Sequence, residues 1–126
     1  MTEIPAADGK ASITLLRPAL IRLTWLPDTE VLPADAKDVL EKSLALVDHV
    51  PYAILVDMST ILTMSLHARV LFGAEEMVLA AAMLGDTPMD RVLAASVRQS
   101  VHPVQFFTDE STALNWLISN LPGDRN

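Results

Sequence analysis

An α/β domain built on a mixed, mainly parallel sheet is the fold class this sequence predicts, and three observations predict it. Residues 52–56 form an unbroken apolar run, opened by Pro51 and closed by Asp57. A run this short and this apolar reads as a strand covered on both faces. Such a strand needs helices above and below it, and the flanking segments carry apolar stripes at helical spacing. Near the start, two period-2 runs on either side of Pro18 read as a hairpin. Together they give the order ββαβαβαβα, with about five strands and about four helices.

The elements follow in order. Residues 1–11 are polar, with small residues and Gly9, and read as a flexible leader. Ile13 and Leu15 alternate with polar neighbours, as do Ile21, Leu23 and Trp25 with Arg22 and Thr24, and Pro18 fits the turn between the two runs. Pro33 suits the first turn of a helix and Asp35 its positive end. Ala36, Val39, Leu40, Leu44 and Val47 make that helix's apolar stripe. Asp48-His49 and Pro51 end it. After the central strand, residues 59–64 read as a loop, and Ser65 caps a helix starting at Leu66.

The next stretch admits two readings. Residues 74–84 have high helix propensity, so one helix could run over 65–84. The βα alternation elsewhere instead predicts a buried parallel strand at 78–84. Thr87, Pro88 and Asp90 open a further helix by cap, first-turn proline and dipole, which His102-Pro103 stops. Residues 104–107 read as a short strand. Asp109 and Glu110 begin a last helix whose stripe is Ala113, Leu114, Leu117, Ile118 and Leu121. Residues 12–121 are thus one domain and 122–126 a tail.

Composition bounds the function. The 126 residues suit one domain, and 51% are hydrophobic against 20% charged, which excludes a disordered tail protein. A net charge of −7 opposes binding to nucleic acid or to an anionic membrane. No apolar run reaches the ~18 residues of a membrane span, and the first residues lack the features of a signal peptide. With no cysteine there is no thiolate chemistry. Cytoplasmic residence is the default expectation.

Catalytic and cofactor motifs are not found. The three histidines, His49, His67 and His102, sit in different connections and have no metal-site spacing. Ser65 and His67 are two apart on a helix, so they point apart. The four glycines are isolated, so no phosphate loop is present. Glu75-Glu76 and Asp109-Glu110 suit solvated helix surfaces. No cofactor or metal is expected. The methionines, dense in the middle third, suit irregular packing, and Arg91 and Arg98 share a helix face. The end of a buried strand is where open α/β sheets place functional groups, which singles out Asp57 and Ser59. An Asp there also commonly caps the loop that follows.

The element order, with 52–59 (Tyr-Ala-Ile-Leu-Val-Asp-Met-Ser) at its centre, resembles the STAS superfamily, the fold of bacterial anti-sigma-factor antagonists. It is similar above all to the divergent members that bridge toward CRAL-TRIO lipid-binding folds. The apolar strand ending in Asp-x-Ser, the helix opening at Met64-Ser65-Leu66, and the strand and acidic helix start at 105–114 carry the resemblance, over about residues 12–121. It implies a non-enzymatic regulatory or protein-interaction module, with a protein partner such as a kinase-type regulator. On its CRAL-TRIO side it implies a small apolar-ligand or lipid binder. Antagonists carry Asp-Ser-Ser-Gly at the start of the second helix; here residues 63–67 are Thr-Met-Ser-Leu-His, so Ser65 alone survives. Ser65, with Asp57, Ser59 and Arg69, is the expected site of phosphorylation or partner contact. A high apolar fraction in so small a domain also predicts a homodimer.

Overall fold

A computed structural model describes residues 2–58, 61–85 and 100–121. Among them are eight strands and three α-helices: β1 Thr2–Ala6, β2 Ala11–Arg17, β3 Leu20–Trp25, β4 Thr29–Val31, α1 Pro33–Leu46, β5 Tyr52–Asp57, β6 Ile61–Met64, α2 Leu66–Ala74, β7 Val78–Leu84, β8 Val104–Phe107 and α3 Glu110–Ser119. The six-stranded sheet runs β1-β2-β3-β5-β7-β8, and β4 pairs with β6 in a separate small sheet. Pairs β1–β2 and β2–β3 are antiparallel, while β3–β5, β5–β7 and β7–β8 are parallel. The fold is the predicted α/β class with a mainly parallel central sheet.

The central strand is covered on both sides. Tyr52, Ile54 and Val56 pack with Ala36 and Val39 of α1 and Ala68 of α2. Ala53 and Leu55 point the other way, with Ala113 and Leu117 of α3. Alternation across a pleated strand produces these two faces.

Residues 78–84 are a strand, not the end of a helix. Val78 to Leu84 pairs with β5 on one side and β8 on the other. Ala80 and Ala82 lie against α3, and their small side chains leave room for that helix. Alanine's helix propensity is a weak prior, and pairing with β5 along the strand, joined by β8 over residues 81–84, overrides it.

The structure corrects two expectations. The first residues are not a loose leader: β1 pairs with β2 from Thr2↔Leu15 to Ala6↔Ala11. Proline is tolerated in an edge strand, which accommodates Pro5. Residues 61–64 are not a loop but β6, whose Ile61, Thr63 and Met64 pair with Thr29, Glu30 and Val31. Strands of three and four residues are too short to leave a periodic signal. The helix expected from Pro88, Ser59, and the tail at 122–126 lie outside the described residues.

Candidate partner-docking site

Two parts of the sheet's upper end carry the predicted site residues. The first is the end of β5. Asp57 lies beside Thr24 of β3 in parallel register. Its face is that of Ala53 and Leu55, toward α3. Arg22 reaches the same place from β3: its Nη2 donates to Asp57 Oδ2 at 3.1 Å, and its Nη1 pairs with Glu110 Oε1 at 2.5 Å. Arg22 and Asp57 are only 22% and 15% exposed in their side chains. The planar, forked guanidinium can hold two carboxylates at once, so Arg22 ties the first turn of α3 to β3 and β5.

The second part is the start of α2. Ser65 is the N-cap: its Oγ accepts from the N–H of Ala68 at 3.1 Å. The Ser65 N–H donates to the Val31 carbonyl at 2.9 Å, so the β4–β6 pairing sets where α2 begins. Arg69, one turn along, turns its Nε back to the Met64 carbonyl at 3.0 Å. Here the guanidinium braces the end of β6, which leads into the helix.

Ser65 and Arg69 are therefore brought together, while Asp57 belongs to the Arg22–Glu110 cluster on the α3 side. Ser59 lies outside the described residues. Arg22 was missed by sequence reading because alternation marks it only as an outward polar residue of β3. That it faces a helix start follows only from the order of the sheet.

The outer surface of α2 is largely apolar, with His67 its exposed polar residue. Leu66 is 70% exposed and Val70, one turn on, 56%. Leu32, next to the Val31 that pairs with Met64, is 42% exposed. The sequence signal was available: residues 58–74 hold no Asp or Glu, in a chain where acids dominate.

Elsewhere the titratable groups are structural. The His102 Nδ1–H donates to the Glu75 carbonyl at 3.2 Å. Burial lowers its pKa, against a smaller opposing effect of Glu75. Tyr52 is fully buried, and burial, helped by the negative charge of Glu75, pushes its ionisation up, while the Ser43 hydroxyl partly offsets this. Burial dominates both shifts, and the charge of Glu75 adds to it at Tyr52 and opposes it at His102. Among the described residues no three His, Asp or Glu side chains gather closely enough to hold a metal. An apolar pocket of about 30 Å³, lined by Leu40, Ile54, Val56, Phe72 and Met83 with His102 beside them, has room for one or two waters. Lipid-sized ligands need hundreds of Å³. No helix among the described residues is long and apolar enough to cross a membrane.

Comparison with known proteins places this architecture. An uncharacterised protein of the DUF3478 family from Shewanella loihica PV-4, described as having a SpoIIAA-like fold, superposes with a TM-score of 0.62. The two share 18% identity over 85% of this chain and 93% of that one. The similarity establishes a SpoIIAA-like, STAS-type fold. No curated protein matches the chain. Residues 15–120 match the family model described as Domain of unknown function (DUF7793), and the chain belongs to that family.

Proposed function

We propose that this chain is a non-catalytic regulatory module of the cytoplasm that docks a protein partner on the outer face of α2. The observation that carries the reading is the exposure of Leu66 and Val70, one turn apart on α2, beside the Ser65 cap. Apolar side chains standing together in water are unfavourable, and such patches mark interaction sites. The SpoIIAA-like fold supports a regulatory role, and the apolar pocket beside His102 is too small to enclose a lipid.

Ser65 is the proposed point of control, with a kinase-type regulator as the partner class. A phosphate on its oxygen would meet the free N–H groups and positive dipole end of α2. Arg69 lies one turn along, close enough to contribute charge. Added charge at this end of a helix is tolerated.

The test uses immobilised full-length chain and native lysate, with and without phosphatase, read by mass spectrometry. A retained partner should be lost from a Leu66→Ser/Val70→Ser double variant whose circular dichroism and melting match wild type. Ser65→Ala and Ser65→Asp should retain it to different extents. Identical protein sets on wild type and the double variant would remove α2 as the docking face. Equal retention by the two Ser65 variants, with no phosphopeptide covering Ser65 in native material, would leave that residue as a helix cap.

A further inference from the structure

The connection between β1 and β2 is held in a strained form. Ala7, Asp8 and Gly9 are left-handed in succession, with φ of 54°, 55° and 86°. Glycine takes this conformation freely, whereas a Cβ makes it unfavourable and alanine has no side-chain bond to offset the cost. Two contacts from one face of α1 hold the turn. Asp38 Oδ2 accepts from the Ala7 N–H at 2.7 Å, and Asp35 Oδ2 pairs with the Lys10 ammonium at 2.6 Å. Asp35 and Asp38 are one helical turn apart, so they grip the two ends of the connection.

The strand behind this turn is lightly attached to the core. Residues 2–5 are exposed or half-buried, and Ala6 is the buried residue of β1. β1 is held mainly by its ladder with β2, in five register pairs, with Ala6 and Ile4 packed on the core. Any copy of the same strand makes those pairs equally well, including Ile4 against the buried Ile13. Short hinge connections under strain favour exchange of the element they tether.

We propose that β1 exchanges between two copies of this chain, each strand completing the β2 edge of the other, with residues 7–10 as the hinge. The exchanged form keeps the whole β1–β2 ladder and lets Ala7 and Asp8 leave the left-handed region. It gives up the Asp38 and Asp35 contacts to the turn. Hinge strain and the two carboxylate contacts thus oppose one another, and residue changes can tip the balance either way. The occupant of the β2 edge is fixed by the register itself, and the proposal is independent of docking on α2.

The test exploits the absence of cysteine. Glu3 and Thr14 are register partners on β1 and β2. The full-length Glu3→Cys/Thr14→Cys variant is unfolded, refolded over a range of concentrations and oxidised with oxidised glutathione. A closed chain gives a monomer with an internal 3–14 link; an exchanged pair gives a dimer joined by two 3–14 links, distinguished by non-reducing gel and peptide mapping. The linked dimer should grow with refolding concentration. Adding Asp8→Gly, which relieves the hinge, should lower the dimer fraction by about fivefold or more. Adding Asp38→Ala should raise it. An internally linked monomer at every concentration, in the parent and in the Asp38→Ala background, overturns the proposal, as does a dimer fraction that neither change moves.

Discussion

Single residues set helix ends, charge clamps and pH response in this domain. Ser65 is the clearest case of a role legible in advance: a serine ahead of an apolar helical run accepts an N–H from within the first turn, and it does so from Ala68. Ser65→Ala should cost about 1 kcal/mol, lowering the melting midpoint by roughly 4 °C; an unchanged midpoint by differential scanning calorimetry would deny the cap any energetic role. Asp109 repeats the device on α3, accepting from Thr112 N at 2.8 Å, and this bond lowers its pKa. Arg22 was not legible, because its partners Asp57 and Glu110 are 35 and 88 positions away along the chain and meet only through the sheet order. His102 gives the domain a pH dependence. Burial holds its folded pKa below the ordinary 6.5, so in that window the unfolded chain binds the proton more readily. Stability from this group is complete above 6.5 and falls as the pH drops through the folded value. Denaturant unfolding from about pH 7 to about pH 5 should show a loss of stability on acidification, and His102→Gln should flatten that slope. A steeper slope in the variant would contradict the assignment.

At the scale of elements, long amphipathic or fully buried segments were legible and short edge pieces were not. The hairpin, α1, β5 and α3 each carry a stripe or run that water would not tolerate unburied, and α2 was marked by its Ser65 cap. Residues 78–84 were the hard case, since propensity and layer order disagreed. The sheet won because Ala80 and Ala82 can sit under α3 while Ala81 and Met83 face the other layer. β4 and β6 escaped notice because three or four residues cannot show a period. β1 escaped because its polar side chains and Pro5 read as a leader, yet an edge strand is where such residues are acceptable. The central strand carries the element-scale prediction. Leu55 is completely buried against α3, between β3 and β7. Leu55→Asp would place a carboxylate there with no designed partner, at a cost of several kcal/mol, comparable with the whole stability of a small domain. The variant should be unfolded by circular dichroism at 25 °C. Melting like wild type would mean that β5 does not organise the fold.

For the molecule as a whole, net charge bears on the proposed strand exchange between copies. The sequence located the right end of the sheet but grouped Asp57 with Ser65, whereas the pleat sends Asp57 to the α3 side and α2 lies on the other. One residue's parity along β5 separates the Arg22–Asp57 clamp from the proposed docking face, and parity depends on a register that composition does not encode. The acid-free stretch at 58–74 leaves α2 as an apolar region on a chain of net charge −7. Two such chains repel at low ionic strength, and salt screens charges farther apart than about 10 Å at 0.1 M. Strand exchange between copies should therefore be favoured by salt for two reasons. Screening lowers the repulsion between chains, and it weakens the partly exposed Lys10–Asp35 pair, which holds only the closed turn. Light scattering at tens of micromolar, a rough working range for small-domain association, should show a larger dimer fraction at about 0.15 M salt than at about 0.01 M. The Lys10→Met chain lacks the pair, so its dimer fraction should start higher at low salt and respond less steeply. A dimer that dissolves as salt rises would instead mean that opposite charges hold the copies together, and would rule out exchange governed by the β1–β2 hinge.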